Sequence, residues 1–208
     1  MPHPFSCQCQ KLQGVVLEGG TCSRVLCYCK DCQAFARYLR RQSAMLNDQG
    51  GTHIVQVAAH RVRFTRGMEH LAVVRLSPRG LLRWYASCCN TPIGNTLPSH
   101  ALAFIGLVDN LLTTHRIPKD FPGRMAVVHT HSANGSPKPV AKGLPGNIWR
   151  FIKIVVTARL SGKHTTSVFF DKHGQPVVTP HVLTKEERTA LASAPAPEII
   201  DDEQDTRP

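Results

Sequence analysis

The sequence predicts a mainly β protein with zinc-binding cysteine knuckles, and two observations support this prediction. Candidate strands at 53–57, 60–65 and 70–76 follow one another at short intervals, which is typical of antiparallel hairpins and not of β–α–β units. Seven of the eight cysteines lie in three tight groups, and the start of the chain lacks a secretory pattern. In a reducing compartment, this grouping favours metal binding over disulfides.

The central group is Cys27-Tyr28-Cys29-Lys30-Asp31-Cys32, with three thiols inside six residues. Such short spacing suits one tetrahedral zinc ion, whose Zn–S bonds are about 2.3 Å long. The following residues, 33–41, predict a short amphipathic helix that opens at or beside Cys32, and its N-terminus would stabilise thiolates. Three thiolates leave one coordination position open unless another residue fills it, and an open position is typical of a reactive zinc site.

The outer groups are Cys7-Gln8-Cys9 and the adjacent pair Cys88-Cys89. Two thiolates alone seldom make a structural zinc site, so we expect Cys7, Cys9, Cys88 and Cys89 to meet in space. Neighbouring residues of a strand point to opposite faces, so both members of the pair can bind one ion only if the backbone turns between them. Of the two, Cys89 is favoured. Cys22 stands apart and is interpreted as a buried or free thiol.

The chain divides by pattern into three parts: a zinc-binding domain at 1–122, a small α+β extension at 123–192 and a disordered acidic tail at 193–208. Within the extension, Asn147 is expected to cap an amphipathic helix that uses Trp149, Phe151, Ile152, Val155, Val156 and Leu160. Residues 165–170 predict a strand. Thr184-Lys185-Glu186-Glu187 predicts a capping box that opens a last short helix.

The formal net charge is +11, with a basic body and an acidic tail. This charge suits small acidic substrates as well as nucleic-acid phosphates. The aromatic residues follow no motif that would stack bases, so nucleic acid is not an expected partner. No apolar run reaches the roughly 18 to 20 residues of a membrane span. We therefore expect a soluble cytoplasmic protein without a membrane partner, and the sequence does not indicate its oligomeric state.

The three groups together resemble the glutathione-dependent formaldehyde-activating enzyme family, which includes centromere protein V. The resemblance covers roughly residues 4–108: an early C-x-C, a C-x-C-x-x-C between a strand and a basic helix, and an aromatic strand that runs into a cysteine motif. The last motif departs from the family's C-x-x-C-G-T-P-L, because Ala86 stands at the first cysteine and Asn90 at the glycine. Either Cys88 replaces the lost ligand or the first site is incomplete. Asn tolerates the left-handed conformation that this glycine would adopt.

The resemblance implies packed antiparallel sheets, a structural zinc at the outer groups and a second zinc at the central group. It also implies a carbon–sulfur lyase that joins glutathione, or a similar small thiol, to formaldehyde as S-hydroxymethylglutathione. In that reading Cys27, Cys29 and Cys32 are catalytic. The basic side chains expected to offset the thiolate charge or to bind the glutathione carboxylates are Lys30, Arg37, Arg40 and Arg41.

Two other readings stay open. Both zinc ions can be structural in a binding or scaffold module, with the central site closed by one of the histidines at positions 53, 60, 70, 100, 129 and 131. Alternatively, Cys29 and Cys32 can act as a redox dithiol, although Cys27 and the lack of a thioredoxin-like β–α–β pattern argue against this.

Overall fold

The computed structural model describes residues 1–114 and 116–193. Its strands are β1 (His3–Ser6), β2 (Gln13–Val16), β3 (Ser23–Cys27), β4 (Thr52–Ala58), β5 (Val62–Arg66), β6 (Leu71–Arg75), β7 (Leu82–Ala86), β8 (Thr91–Thr96), β9 (Phe104–Val108), β10 (Met125–Val128) and β11 (His181–Val182). Its helices are α1 (Lys30–Leu39), α2 (Gln42–Met45), α3 (Ile117–Asp120), α4 (Leu144–Leu160) and α5 (Lys185–Ser193).

The strands form two sheets, which confirms the mainly β fold class. The larger sheet has eight strands in the order β10-β3-β4-β9-β8-β7-β6-β11, and the smaller has three in the order β1-β2-β5. Pairing is antiparallel except at the two edges of the larger sheet, where β10 runs parallel to β3 and β11 runs parallel to β6. Both edge strands come from the segment after residue 122, so the larger sheet is mixed and not purely antiparallel.

The main core lies between the two sheets. Alternate residues of the central strands, such as Val55, Trp84 and Leu107, pack with Phe5 and Val62 of the smaller sheet. Trp84 is fully buried, and its indole Nε1 donates to the Thr96 hydroxyl at 3.0 Å. A buried aromatic ring with its polar atom satisfied fixes the position of β7 within the core.

Helices cover the opposite face of the larger sheet. Helix α1 packs Phe35 and Leu39 against Val74, Leu76 and Val108. Helix α4 packs Ile154 and Ala158 against residues of β4 and the loop before β9. The central cysteine group lies on this face, between α1 and the strands beneath it.

Two expectations for the extension are wrong in detail. Helix α4 begins at Leu144, because Gly143 adopts φ 74° and Pro145 suits the first turn of a helix. The Asn147 amide does not cap it but donates to the side chains of Ser23 at 3.0 Å and Gln56 at 2.7 Å. The residues expected to form a strand at 165–170 instead follow a 3-10 turn at Lys163–Thr165, and Phe169 is buried against Trp84 in the main core.

The last short helix opens as predicted. The Thr184 hydroxyl accepts from the Glu187 backbone N–H at 3.2 Å, and the Glu187 carboxylate accepts from the Thr184 N–H at 2.8 Å. This reciprocal pair is a capping box.

The boundary drawn at residue 122 falls inside one sheet, because β10 pairs with β3 along its whole length. The expected disordered tail lies outside the described residues from position 194 onward. Among the described helices, none has the length and apolar character needed to cross a bilayer.

Candidate metal centres

Two groups of cysteine sulfurs come together in the described part of the chain. One contains Cys7, Cys9, Cys88 and Cys89, and the other contains Cys27, Cys29 and Cys32. Within each group, the sulfur atoms all lie within 4.8 Å of one another. A tetrahedral zinc with bonds of about 2.3 Å separates its sulfurs by roughly 3.8 Å, so both groups fit such an ion.

The outer group joins two hairpins that are distant in sequence. The Cys7 Sγ lies 3.6 Å from that of Cys9 and 3.7 Å from that of Cys88, and Cys9 and Cys88 are 3.3 Å apart. The Gln8 backbone N–H also donates to the Thr91 hydroxyl at 3.0 Å. This hydrogen bond joins the turn after β1 to the β7–β8 hairpin, and so holds Cys7 and Cys9 close to Cys88 and Cys89.

Local turns aim the four sulfurs at one point. The Leu12 backbone N–H donates to the Cys7 sulfur at 3.3 Å, the arrangement of a metal knuckle. Residues 87–90 form a turn, and Asn90 adopts a left-handed conformation with φ 54°. This turn lets both Cys88 and Cys89 face the same group, although Cys89 was the favoured member of the pair.

The thiols of the outer group differ in acidity. Burial raises the pKa of Cys89, but hydrogen bonds from the Thr91 hydroxyl and from Cys9 outweigh it and set that pKa at about 6. The pKa of Cys88 is raised by burial and by the neighbouring thiols, and the pKa of Cys7 is raised mainly by burial. Cys89 is thus the thiol of this set that most readily offers a thiolate to a metal.

The central group is built at the junction of β3 and α1. Cys27 ends β3, and Cys29 is the N-cap of α1, where its sulfur accepts from the Cys32 backbone N–H at 3.3 Å. The Cys29 and Cys32 sulfurs are 3.2 Å apart. The predicted helix therefore opens two residues earlier than Cys32, and its N-terminal N–H groups point at the thiols.

One thiol of this group takes the negative charge. Hydrogen bonds from Cys27 and Cys32 hold the pKa of Cys29 well below its usual range, with the backbone of Cys32 and the charge of Arg83 adding to the effect. A hydrogen bond with Cys29 raises the pKa of Cys27, whereas hydrogen bonds with Cys27 and Cys29, together with burial, raise the pKa of Cys32. Cys29 is half-buried while Cys27 and Cys32 are buried, so the thiolate is the member nearest to solvent.

Arg83 is a residue of this centre that the sequence did not reveal. It lies on β7, is 2% exposed, and donates to Asn95 Oδ1 at 3.1 Å. Its guanidinium lies over the Phe35 ring, 5.5 Å from the ring centroid. The same guanidinium is 3.7 Å from the carboxylate of Asp31, a residue between Cys29 and Cys32 in sequence. A second arginine, Arg188 of α5, contacts the same carboxylate at 3.5 Å. Positive charge thus reaches the centre from two distant segments.

The four basic residues expected to bind substrate do not share one surface. Lys30 is exposed beside Cys29. Arg37 donates to the Leu191 carbonyl at 2.7 Å and holds α5, while Arg40 is exposed at the end of α1. Arg41 donates to the Cys89 carbonyl at 2.5 Å, so it belongs to the outer group. It lines a cavity of about 350 Å³ there, together with Cys7, Thr91 and Asn110.

Among the residues that the structure describes, no histidine joins the central sulfurs. His53 instead lies 3.9 Å from the Asp109 carboxylate, and His129 and His131 are exposed neighbours with ring centroids 6.1 Å apart. Within the described residues, the central group therefore offers three ligands and the outer group four.

The chain matches a protein-family model over residues 2–179, a span that includes both cysteine groups and α4. It belongs to DUF6151, a family of unknown function. The DUF6151 match ends before β11 and α5. A crystal structure of a Rhodobacter sphaeroides protein is similar at 19% identity with a TM-score of 0.40, covering 60% of this chain and 99% of that one. No curated protein matches this chain.

Proposed function

We propose that this protein is a zinc-dependent enzyme of the carbon–sulfur lyase type, which acts on adducts between glutathione, or a related thiol, and formaldehyde or another small aldehyde. The observation that carries the proposal is the difference between the two cysteine groups. Four sulfurs make a complete tetrahedral set at the outer group, whereas the described residues supply three at the central group. A three-ligand zinc site accepts an exogenous ligand.

A zinc ion held by Cys27, Cys29 and Cys32 would lower the pKa of a bound substrate thiol, so that the thiol reacts as thiolate. The reaction forms one S–C bond between the thiol sulfur and the aldehyde carbon, and the thiol proton goes to the aldehyde oxygen. The resemblance to the glutathione-dependent formaldehyde-activating family supports this choice of substrate.

The chain's own residues would hold the reactants. Lys30 is exposed next to Cys29 and can pair with a substrate carboxylate. Three thiolates on one zinc ion would leave a net negative charge, and the guanidinium of Arg83 beside the thiolates would offset it. The N-terminus of α1 adds favourable dipole charge at the same place.

Burial at the centre favours a second candidate, a non-catalytic scaffold with two structural zinc ions. Cys27 and Cys32 are 8% and 4% exposed, and they pack with Val25, Ile54 and Ala126. Such enclosure limits the approach of a substrate to the side of Cys29. In this alternative the central ion only ties β3 to α1.

The test is zinc content by elemental analysis, combined with glutathione binding by calorimetry. Native protein is compared with Cys29→Ser, with the Cys27/Cys29/Cys32 triple Ser variant and with Cys22→Ser. Cys22 lies outside both groups, so Cys22→Ser is the matched control for loss of a thiol. Formation of S-hydroxymethylglutathione is followed by NMR against the uncatalysed rate.

We expect two zinc ions in the native protein and in Cys22→Ser, and one in the triple variant, with glutathione binding and turnover lost alongside. Full turnover by a triple variant that holds one zinc would refute the enzyme proposal. If the triple variant holds one zinc fewer than the native protein, but the native protein never binds glutathione, the result would favour the non-catalytic scaffold.

A further inference from the structure

Helix α4 carries an exposed apolar row along its whole length. The row repeats every four residues, and its members are Leu144, Ile148, Ile152, Val156 and Leu160. Their exposed fractions run from 45% for Ile152 and Val156 to 84% for Leu160, and Trp149 beside them is 68% exposed. Residues four apart are neighbours on a helix surface, so these side chains form one continuous stripe that turns by about 40° round the helix at each step and is here called the α4 face.

The α4 face points away from the protein. The helix already buries Ile154 and Ala158 against the larger sheet, on the other side of the helix. The exposed side chains offer on the order of 600 Å² of apolar surface, the upper end of what a monomer normally shows in one patch. Of the residues that the periodicity assigned to the buried side, Trp149, Ile152, Val156 and Leu160 are in fact exposed.

The charge around the α4 face has one sign. Residues 138–163 contain six basic residues and no acidic one, and the basic positions are Lys138, Lys142, Arg150, Lys153, Arg159 and Lys163. Lys153 and Arg159 lie three residues before and three residues after Val156, so both are its neighbours on the helix surface and flank the apolar row at that point. An apolar helix face bordered by Lys and Arg, with an exposed Trp, is the composition of helices that lie in the interface of anionic membranes.

We propose that the α4 face binds the surface of anionic lipid bilayers, with the apolar row and Trp149 in the headgroup region and the flanking basic residues against lipid phosphates. The sequence led us to expect no membrane partner because it has no spanning run, but a helix that lies on the surface needs none. Charge argues against a second copy as the occupant. Two copies of α4 would bring basic residues together with no acidic residue on either helix to compensate.

Trp149 makes the proposal measurable without a label. The protein has two tryptophans, of which Trp84 is fully buried and Trp149 is mostly exposed. Full-length protein is mixed with vesicles of phosphatidylcholine alone or with added phosphatidylglycerol. Emission and co-sedimentation are recorded at low and high salt. We expect a blue shift and co-sedimentation with the anionic vesicles only, both weakened by salt.

Two variants and their controls locate the surface. Ile152→Asp should lower vesicle partitioning at least tenfold, because it removes an apolar side chain and adds repulsion. Its control is Met68→Asp, at a residue 43% exposed outside α4. Lys153→Glu should lower partitioning about thirtyfold, since the charge changes by two units at roughly 1 kcal/mol each and about 1.4 kcal/mol is a factor of ten. Its control is Lys172→Glu, in an exposed turn.

Several results would overturn the proposal. Equal binding to neutral and anionic vesicles would show that charge plays no part. An equal loss of vesicle partitioning in the α4 variants and in their controls would show that the α4 face is not the binding surface. A blue shift that grows with protein concentration without vesicles would show that a second copy covers the surface. Absence of any vesicle response in native protein would end the proposal. The Trp84 emission of each variant reports whether its core stays folded.

Discussion

Arg83 offers the sharpest test of how the central cysteine group is supported. We consider Arg83→Met, which keeps most of the side-chain volume and removes the charge and all donors. The change leaves the buried Asn95 Oδ1 without its donor at 3.1 Å, a loss of about 1 to 3 kcal/mol. The ion pair with Asp31 adds at most about 1 kcal/mol, because that carboxylate is 42% exposed and screened by water.

Other contributions partly cancel. Loss of the contact between the guanidinium and the Phe35 ring destabilises the folded protein by about 0.5 to 2 kcal/mol. The variant also no longer buries a charge at a position that is 2% exposed, and this gain offsets a similar amount. The expected net loss is about 2 kcal/mol in the free energy of unfolding. For a domain of this size, that corresponds to a Tm lower by roughly 4 to 8 °C.

The measurement is urea unfolding at saturating zinc, together with zinc retention against a chelator. Arg83→Met should release the central zinc at roughly tenfold lower chelator concentration, the usual effect of removing a residue that supports metal ligands. Arg79→Met is the control, because it removes the same charge from an exposed turn residue. If Arg83→Met matched Arg79→Met in both stability and zinc retention, the assignment of Arg83 to this centre would be refuted.

Three further predictions follow from single contacts. Asn90→Gly should keep both the stability and the zinc of the outer group, because glycine tolerates the φ of 54° at this position. Asn90→Val should lower the free energy of unfolding by about 1 to 2 kcal/mol, and equal unfolding midpoints of the two variants would contradict this. Thr184→Ala removes an N-cap, so amide exchange in α5 should quicken about fivefold, for a loss of about 1 kcal/mol; unchanged exchange would argue against the capping box. Burial raises the pKa of Asp109, so its charged form opposes folding above that pKa, and Asp109→Asn should stabilise the protein at neutral pH. The stability gained by Asp109→Asn should shrink as the pH falls towards the ordinary pKa of a carboxyl group. A gain that grows in acid would contradict the raised pKa of Asp109.

Local patterns determined the cysteine groups. Cys27, Cys29 and Cys32 lie so close in sequence that any compact backbone brings their sulfurs together. The capping box at Thr184 and Glu187 is equally local, since both partners belong to the same helical turn. The meeting of Cys7 and Cys9 with Cys88 and Cys89 was predictable for another reason: two thiols alone rarely complete a zinc site, and the chain has few others to offer.

Long-range pairing decided the rest. Arg83 reaches Asp31 because the register of β7 and the packing of α1 place positions far apart in sequence on the same sheet face, and no local pattern contains that information. The parallel edge strands likewise depend on where the chain returns after residue 122.

Helix α4 shows the limit of sequence periodicity most clearly. Apolar residues occupy both of its sides, so the pattern predicts a helix but does not say which side meets the sheet. Asn147 settles the orientation through its contacts with Ser23 and Gln56, and turns the Ile152 row outward. The sequence alone predicted the two cysteine groups, the mainly β class and the presence of this helix, because those depend on residues that are close in the chain or scarce in it. The tertiary structure decided the charge beside the thiolates and the exposed apolar face, because both depend on how distant segments pack.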